Sequence, residues 1–133
     1  MSAARDDVKA RIDAIEESYE FFLAYAAQGL SSDQGARSGH QIREFLQQTA
    51  TALDGLTDAF RVLVKDDGVA PAGAWDDLLE VLHADASATL ATVRLVASRP
   101  GISSQLVDNL NANIHLRALL TDLFLVDDLI DDI

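Results

Sequence analysis

An all-α fold, specifically an up-down-up-down antiparallel four-helix bundle spanning residues 1–133 as one domain, is what the sequence predicts, on three observations. Apolar residues recur at alternating spacings of three and four through four long segments. Three short polar stretches separate those segments, and connections so short force neighbouring helices to run antiparallel. Sustained period-two alternation is missing, and Ala, Leu and Gln are plentiful where a strand would want β-branched residues.

The first segment carries Val8, Ile12, Ile15, Tyr19, Phe22 and Ala26, opened by Ser2 as a cap and closed by Gly29 followed by Leu30. The second carries Ile42, Leu46, Thr49, Leu53, Leu56, Phe60 and Leu63 without interruption. Ser38 and Gln41 at its start have the spacing of a reciprocal capping pair, and Lys65-Asp66-Asp67-Gly68 ends it. Pro71 near Gly73 makes a turn before Trp75, Leu79, Leu82, Ala86, Leu90, Val93 and Ala97, the third helix. Ser98-Arg99-Pro100-Gly101 breaks the chain again. Ile102 can then staple onto Val107 across a Ser103 cap, and a fourth helix runs through Leu106, Leu110 and Ile114 towards the end. Helices of roughly 25 residues would be about 38 Å long at 1.5 Å per residue. The last residues, Asp127-Asp128-Leu129-Ile130-Asp131-Asp132-Ile133, put acids where the helix dipole disfavours them, so the final turn is expected to fray.

Composition narrows the chemistry. Seventeen Asp and five Glu against two Lys and eight Arg give a formal charge of −12, which repels phosphate backbones, and the cations are spread rather than clustered. Neither nucleic acid nor an anionic membrane is an expected partner. The acid excess reads as a strongly hydrated surface, with docking on a basic protein surface, through contacts that weaken as salt rises, as the alternative. With no cysteine there are no disulfides, thiolate metal sites or cysteine nucleophiles, which fits a reducing compartment. Acids precede the first apolar run and no long uncharged stretch follows, so neither signal peptide nor membrane span is expected and the protein reads as cytoplasmic.

Two regions exceed the needs of one buried seam: Tyr19, Phe21, Phe22, Leu23 and Tyr25 in the first helix, and Leu116 through Val126 in the fourth. A wide core face accounts for them, or else a surface covered by a second copy or by another protein. In the latter reading the contact candidates are Tyr19, Phe21, Tyr25, Leu116, Leu125 and Val126. A four-helix bundle also raises the question of a carboxylate-bridged di-metal site, which needs a Glu-x-x-His pair on each of two helices. Glu80 and His83 form one such pair. The second cannot be placed: the fourth helix has no Glu, and its His115 follows Ala112 by three. A single metal bound by Glu80 and His83, helped by Glu16, Glu20 or His115, is the residual possibility, and no cofactor is otherwise expected. Asp108, Asn111, His115 and Asp122 make a polar stripe on the fourth helix, an outward solvated face or a polar seam. The serines sit at caps and turns with no nucleophile elbow around them, and no Gly-rich segment has the spacing of a phosphate loop. No catalytic residues are therefore expected.

The apolar and aromatic pattern of residues 15–29, with Ile42-Arg43-Glu44-Phe45-Leu46 and Ala52-Leu53-Asp54-Gly55-Leu56, resembles a small ferritin-like helical protein of bacterial α-carboxysome gene clusters. The resemblance covers the first half of the chain. It implies an accessory or cargo role near Rubisco and its shell, within or near a bacterial microcompartment, whereas the missing second Glu-x-x-His departs from ferritin-type iron chemistry. The expectation is a non-enzymatic helical-bundle protein acting through protein contacts, homo-oligomeric or with another protein. The alternative is a ferritin-like metal-binding protein with an incomplete or single-metal site.

Overall fold

A computed structural model describes residues 2–131 and is all-α, built from six helices: α1 Ala3–Ala27, α2 Gly39–Leu53, α3 Leu56–Asp66, α4 Ala72–Ala97, α5 Ser104–Ala112 and α6 Ile114–Asp131. The expected four-helix bundle is thereby overturned, because two of the anticipated long helices are each broken in two. Between α2 and α3, Asp54 is extended and Gly55 adopts a left-handed φ of 84°, a conformation that only glycine takes without strain. The spacing Thr49, Leu53, Leu56, Phe60 runs through the break in phase, and all four side chains are buried, so the apolar pattern does not register it. Between α5 and α6, Asn113 leaves helical geometry at φ −61° and ψ 130°. Its side-chain oxygen accepts the amides of His115 at 2.9 Å and Leu116 at 3.3 Å, starting a new helix. This break does shift the phase. Ile114, expected inward, is exposed, and the buried face passes from Val107 and Leu110 to Leu116, Leu119 and Leu120.

Helix α1 starts as its sequence predicts, Ser2 Oγ accepting the Arg5 amide at 3.1 Å. The inward position assigned to Tyr19 belongs instead to Ser18, which is fully buried and returns its hydroxyl to the Ala14 carbonyl at 2.7 Å. Gln48 of α2 donates to that same hydroxyl at 3.2 Å. Ser38 caps α2 in position only: its hydroxyl bonds Gln28 at 2.8 Å, outside the helix, and the reciprocal pairing with Gln41 does not form. Ser103 accepts the Leu106 amide at 3.0 Å at the head of α5, with Ile102 and Val107 both buried beside it as the staple requires.

Cross-links between helices fix their directions. Arg11, early in α1, reaches carbonyls at the end of α2, and Arg61 of α3 pairs with Glu80 of α4 at 3.1 Å. Tyr25, late in α1, meets Ile102, while Lys9 meets Asp127 and Asp131 at 2.7 and 2.5 Å. Direction thus alternates between four runs of chain, with α2 and α3 together opposing α1, and α5 and α6 together opposing α4. One buried cluster runs through all six helices, including Ile12, Ile15, Phe22, Leu46, Phe60, Leu79, Leu82, Leu119 and Leu123. Each such side chain contributes about 1.5–3 kcal/mol by leaving water. The acids at the end of α6, where fraying is expected, are met from α1 over the described residues. The helix extends to Asp131 and is held to α1 by Lys9 and by the Arg5 guanidinium, which donates to the Ile130 carbonyl. Asp132 and Ile133 lie outside the described residues.

The two loops at one end of the molecule are bound together. Asp33 is buried and accepts the Ile102 amide through Oδ1 and the Arg43 Nε through Oδ2, each at 2.7 Å. The rest of the Arg43 guanidinium donates to the carbonyls of Ala97, Arg99 and Pro100. Gly39 lies so close to the Asp33 carbonyl that a side chain there would overlap it.

Candidate interaction face

The six contact candidates separate cleanly. Tyr25, Leu116 and Val126 are core residues, which corrects the expectation that they face a partner. Tyr25 in particular donates its hydroxyl to the Ile102 carbonyl at 2.7 Å, and burial raises its pKa. Phe21 is partly covered and stacks on Phe45 of α2 with ring centroids 4.4 Å apart, so its surplus apolar area is absorbed within the chain. Tyr19 is likewise partly buried against the core. Only Leu125 stays mainly in solvent, at 52% exposure.

Leu125 belongs to a seam that helical geometry assembles from two helices. In α4, Leu78, Val81 and Asp85 share one stripe at i, i+3 and i+7; in α6, Asp122, Leu125 and Leu129 do the same. The antiparallel stripes meet at both ends. Leu129 joins Leu78 and Trp75 in a groove of about 300 Å³, floored by Ala70, Pro71 and Ala74. At the other end Asp122 meets Asp85. Val81 and Leu125 therefore lie between these two fixed points, and with Leu129 they are 52%, 52% and 38% exposed. Phe124, also exposed, sits about 130° further round α6, towards the α1 side.

The Asp85–Asp122 meeting is chemically unusual. Asp122 Oδ2 is buried without a donor, and the group beside it is a second carboxyl, so the two can bond only by sharing a proton. Burial first, and Asp85 second, push the Asp122 pKa up to about 7. Residues 74–88 and 118–131 contain no Lys or Arg. The cations that reach these stretches from other helices include Arg61 on Glu80, from α3, and Lys9 on Asp127 and Asp131 and Arg5 on the Ile130 carbonyl, from α1. The Asp85–Asp122 pair escaped the sequence reading, which grouped Asp122 with Asp108, Asn111 and His115. That stripe does not stay together: Asn111 is buried and donates to the Phe22 carbonyl at 3.2 Å, Asp108 and His115 are exposed, and the break at Asn113 separates them. The signal that finds the pair is the matching i, i+3, i+7 spacing in two antiparallel helices.

Glu80 and His83 are both exposed on the α3 side of α4. Glu80 is engaged by Arg61, and His83 borders a small cleft of about 180 Å³ beside the Gly55 break. Among the described residues no group of three His, Cys, Asp or Glu side chains is placed to hold a metal ion. Glu16 lies near α6, where burial first and then Asp127 raise its pKa; it, Glu20 and His115 are not brought to Glu80. Among the described residues no helix is long and apolar enough to cross a membrane.

No family model, curated protein or solved structure matches the chain.

Proposed function

We propose that the protein is a non-enzymatic accessory protein that works through protein–protein contacts, and that the α4/α6 seam is its contact face. The observation that supports this reading is the side-by-side exposure of Val81, Leu125 and Leu129 on two adjacent helices, whereas the other exposed apolar residues of α4 and α6, Leu95, Ile114 and Phe124, lie apart from this seam. A seam of that kind loses water-exposed apolar area only when something lies on it. The resemblance of residues 15–29 to a ferritin-like protein of α-carboxysome clusters would put that partner near Rubisco and its shell.

The test is the double substitution Leu125→Ser with Leu129→Ser. It should leave helicity unchanged by circular dichroism and abolish association with the partner, read as co-purification from native extract. Retained association in the double variant would defeat the assignment of the face. The metal-binding alternative rests on Glu80 and His83 alone, and elemental analysis of chelator-free protein decides it. Stoichiometric iron, manganese or zinc that disappears on Glu80→Ala would establish it.

A further inference from the structure

The α4/α6 seam carries a charge pattern that selects its occupant. Its centre is apolar, through Leu78, Val81, Leu125 and Leu129. One end holds Asp85 and Asp122, and the outer margin holds Asp77 and Asp128, both exposed and in no ion pair among the described residues. No cation of α4 or α6 lies within the stretch. A second copy laid on this seam would bring acids against acids, which costs association rather than driving it. An apolar strip bordered by uncompensated carboxylates is the complement of a helix that is apolar on one side and basic along its flanks. Residues 74–88 rise about 21 Å, the length of about four helical turns, enough for three or four anchor side chains at i, i+3, i+4 and i+7.

We propose that the seam is a docking groove for a cationic amphipathic helix of a partner protein, its apolar side seated on Leu78, Val81, Leu125 and Leu129 and an arginine or lysine reaching the Asp85–Asp122 pair. This rests on the contact-face reading above and names the partner's chemistry. Asp122 Oδ2 is closed to solvent, but Asp85 and Asp122 are each only partly buried as residues, so the incoming cation meets the accessible edge of the pair and the charge the two carboxyls bring together. The docked cation also replaces the proton that the pair otherwise shares, so the bound form favours both carboxylates ionised. Affinity therefore rises with pH through the neutral range, as Asp122 loses its proton. Asp85 of α4 is the charged group that faces it; the α1 groups near this part of α6, Lys9 and Glu16, act on Asp127 and Asp131.

The experiment titrates the whole chain with three synthetic peptides of about 18 residues: an Arg/Leu helix with Leu on one face, a scrambled peptide of the same composition, and a Glu/Leu helix of the same pattern. Only the patterned Arg/Leu peptide should bind. Binding should weaken at least about tenfold in Val81→Ser/Leu125→Ser and in Asp85→Asn/Asp122→Asn, and less than about twofold in Asp13→Asn/Glu17→Gln, which removes at least as much charge from exposed positions of α1. It should strengthen from about pH 6 to about pH 8 in the native chain but not in Asp122→Asn. Equal binding of the scrambled peptide, equal loss in the α1 variant, or no binding at about 1 mM peptide would overturn the proposal. A self-dimer dissolved by Val81→Ser/Leu125→Ser, with no peptide bound, would overturn the cationic helix while sparing the contact face. A chain that neither binds peptide nor associates through this seam would overturn both.

Discussion

Asp33 and Arg43 show how much of this fold depends on two side chains. Burial alone would raise the Asp33 carboxyl, yet the Arg43 guanidinium and the Ile102 amide outweigh it and leave the pKa lowered. The pair joins the α1–α2 loop to the α4–α5 loop. Arg43→Met keeps the aliphatic stem but strands a buried carboxylate, and should cost about 2–3 kcal/mol in urea unfolding at neutral pH. Because the folded carboxyl titrates below its ordinary range, this contribution is present above that range and is lost as the pH falls through the folded pKa. The cost of Arg43→Met should accordingly shrink in acid. Neither residue stands out in the sequence. Asp33 lies in a polar connection that reads as a solvated loop, and the other partners of Arg43 are backbone carbonyls more than fifty positions away.

At the level of the helices, the ends are closed by arginines from elsewhere in the chain. Arg11 donates to carbonyls of Thr51, Ala52 and Asp54 where α2 stops, Arg43 to those of Ala97, Arg99 and Pro100 where α4 stops, and Arg5 to that of Ile130 near the end of α6. A cation at a helix C-terminus meets both unpaired carbonyls and the negative end of the dipole. At the end of α6 this cation, Arg5, offsets the unfavourable placement of Asp127, Asp128 and Asp131 beside the negative end of the dipole. The opposite device starts α6: Asn113→Ala removes two amide acceptors at once and should lower stability by about 1 kcal/mol in thermal or urea unfolding. The periodicity of the sequence was enough to place α1 and α4 and to identify the buried line from Ile42 to Leu63. It was blind to Gly55, because the apolar phase continues across the break, and to Asn113, because asparagine at a helix start looks like any polar surface residue until its side chain is seen to cap.

For the whole molecule, the Asp85–Asp122 pair links stability to pH in an unusual direction. An unfolded aspartate releases its proton near pH 3.8, whereas folded Asp122 keeps it to about 7. Between those values the folded state binds the extra proton, so this group's contribution falls as the pH rises through the window. The unfolding midpoint of the native chain relative to that of Asp122→Asn should therefore decline from about pH 5 to about pH 8. A constant difference would show that the pair does not share a proton. The all-α class and the outward acids were legible from composition and spacing. The contact face was only half legible: Leu125 was singled out, but its companions Val81 and Leu129 gain meaning only when α4 and α6 lie together.

Three of the ten cations in the chain, Arg5, Arg11 and Arg43, spend donors on backbone carbonyl oxygens, which leaves the excess of 22 acids over ten bases still less compensated. Compensation falls to the solvent. Mutual repulsion among the carboxylates strains the compact state, and small ions gathered around them relieve it. The molecule should be softer in dilute buffer than in brine.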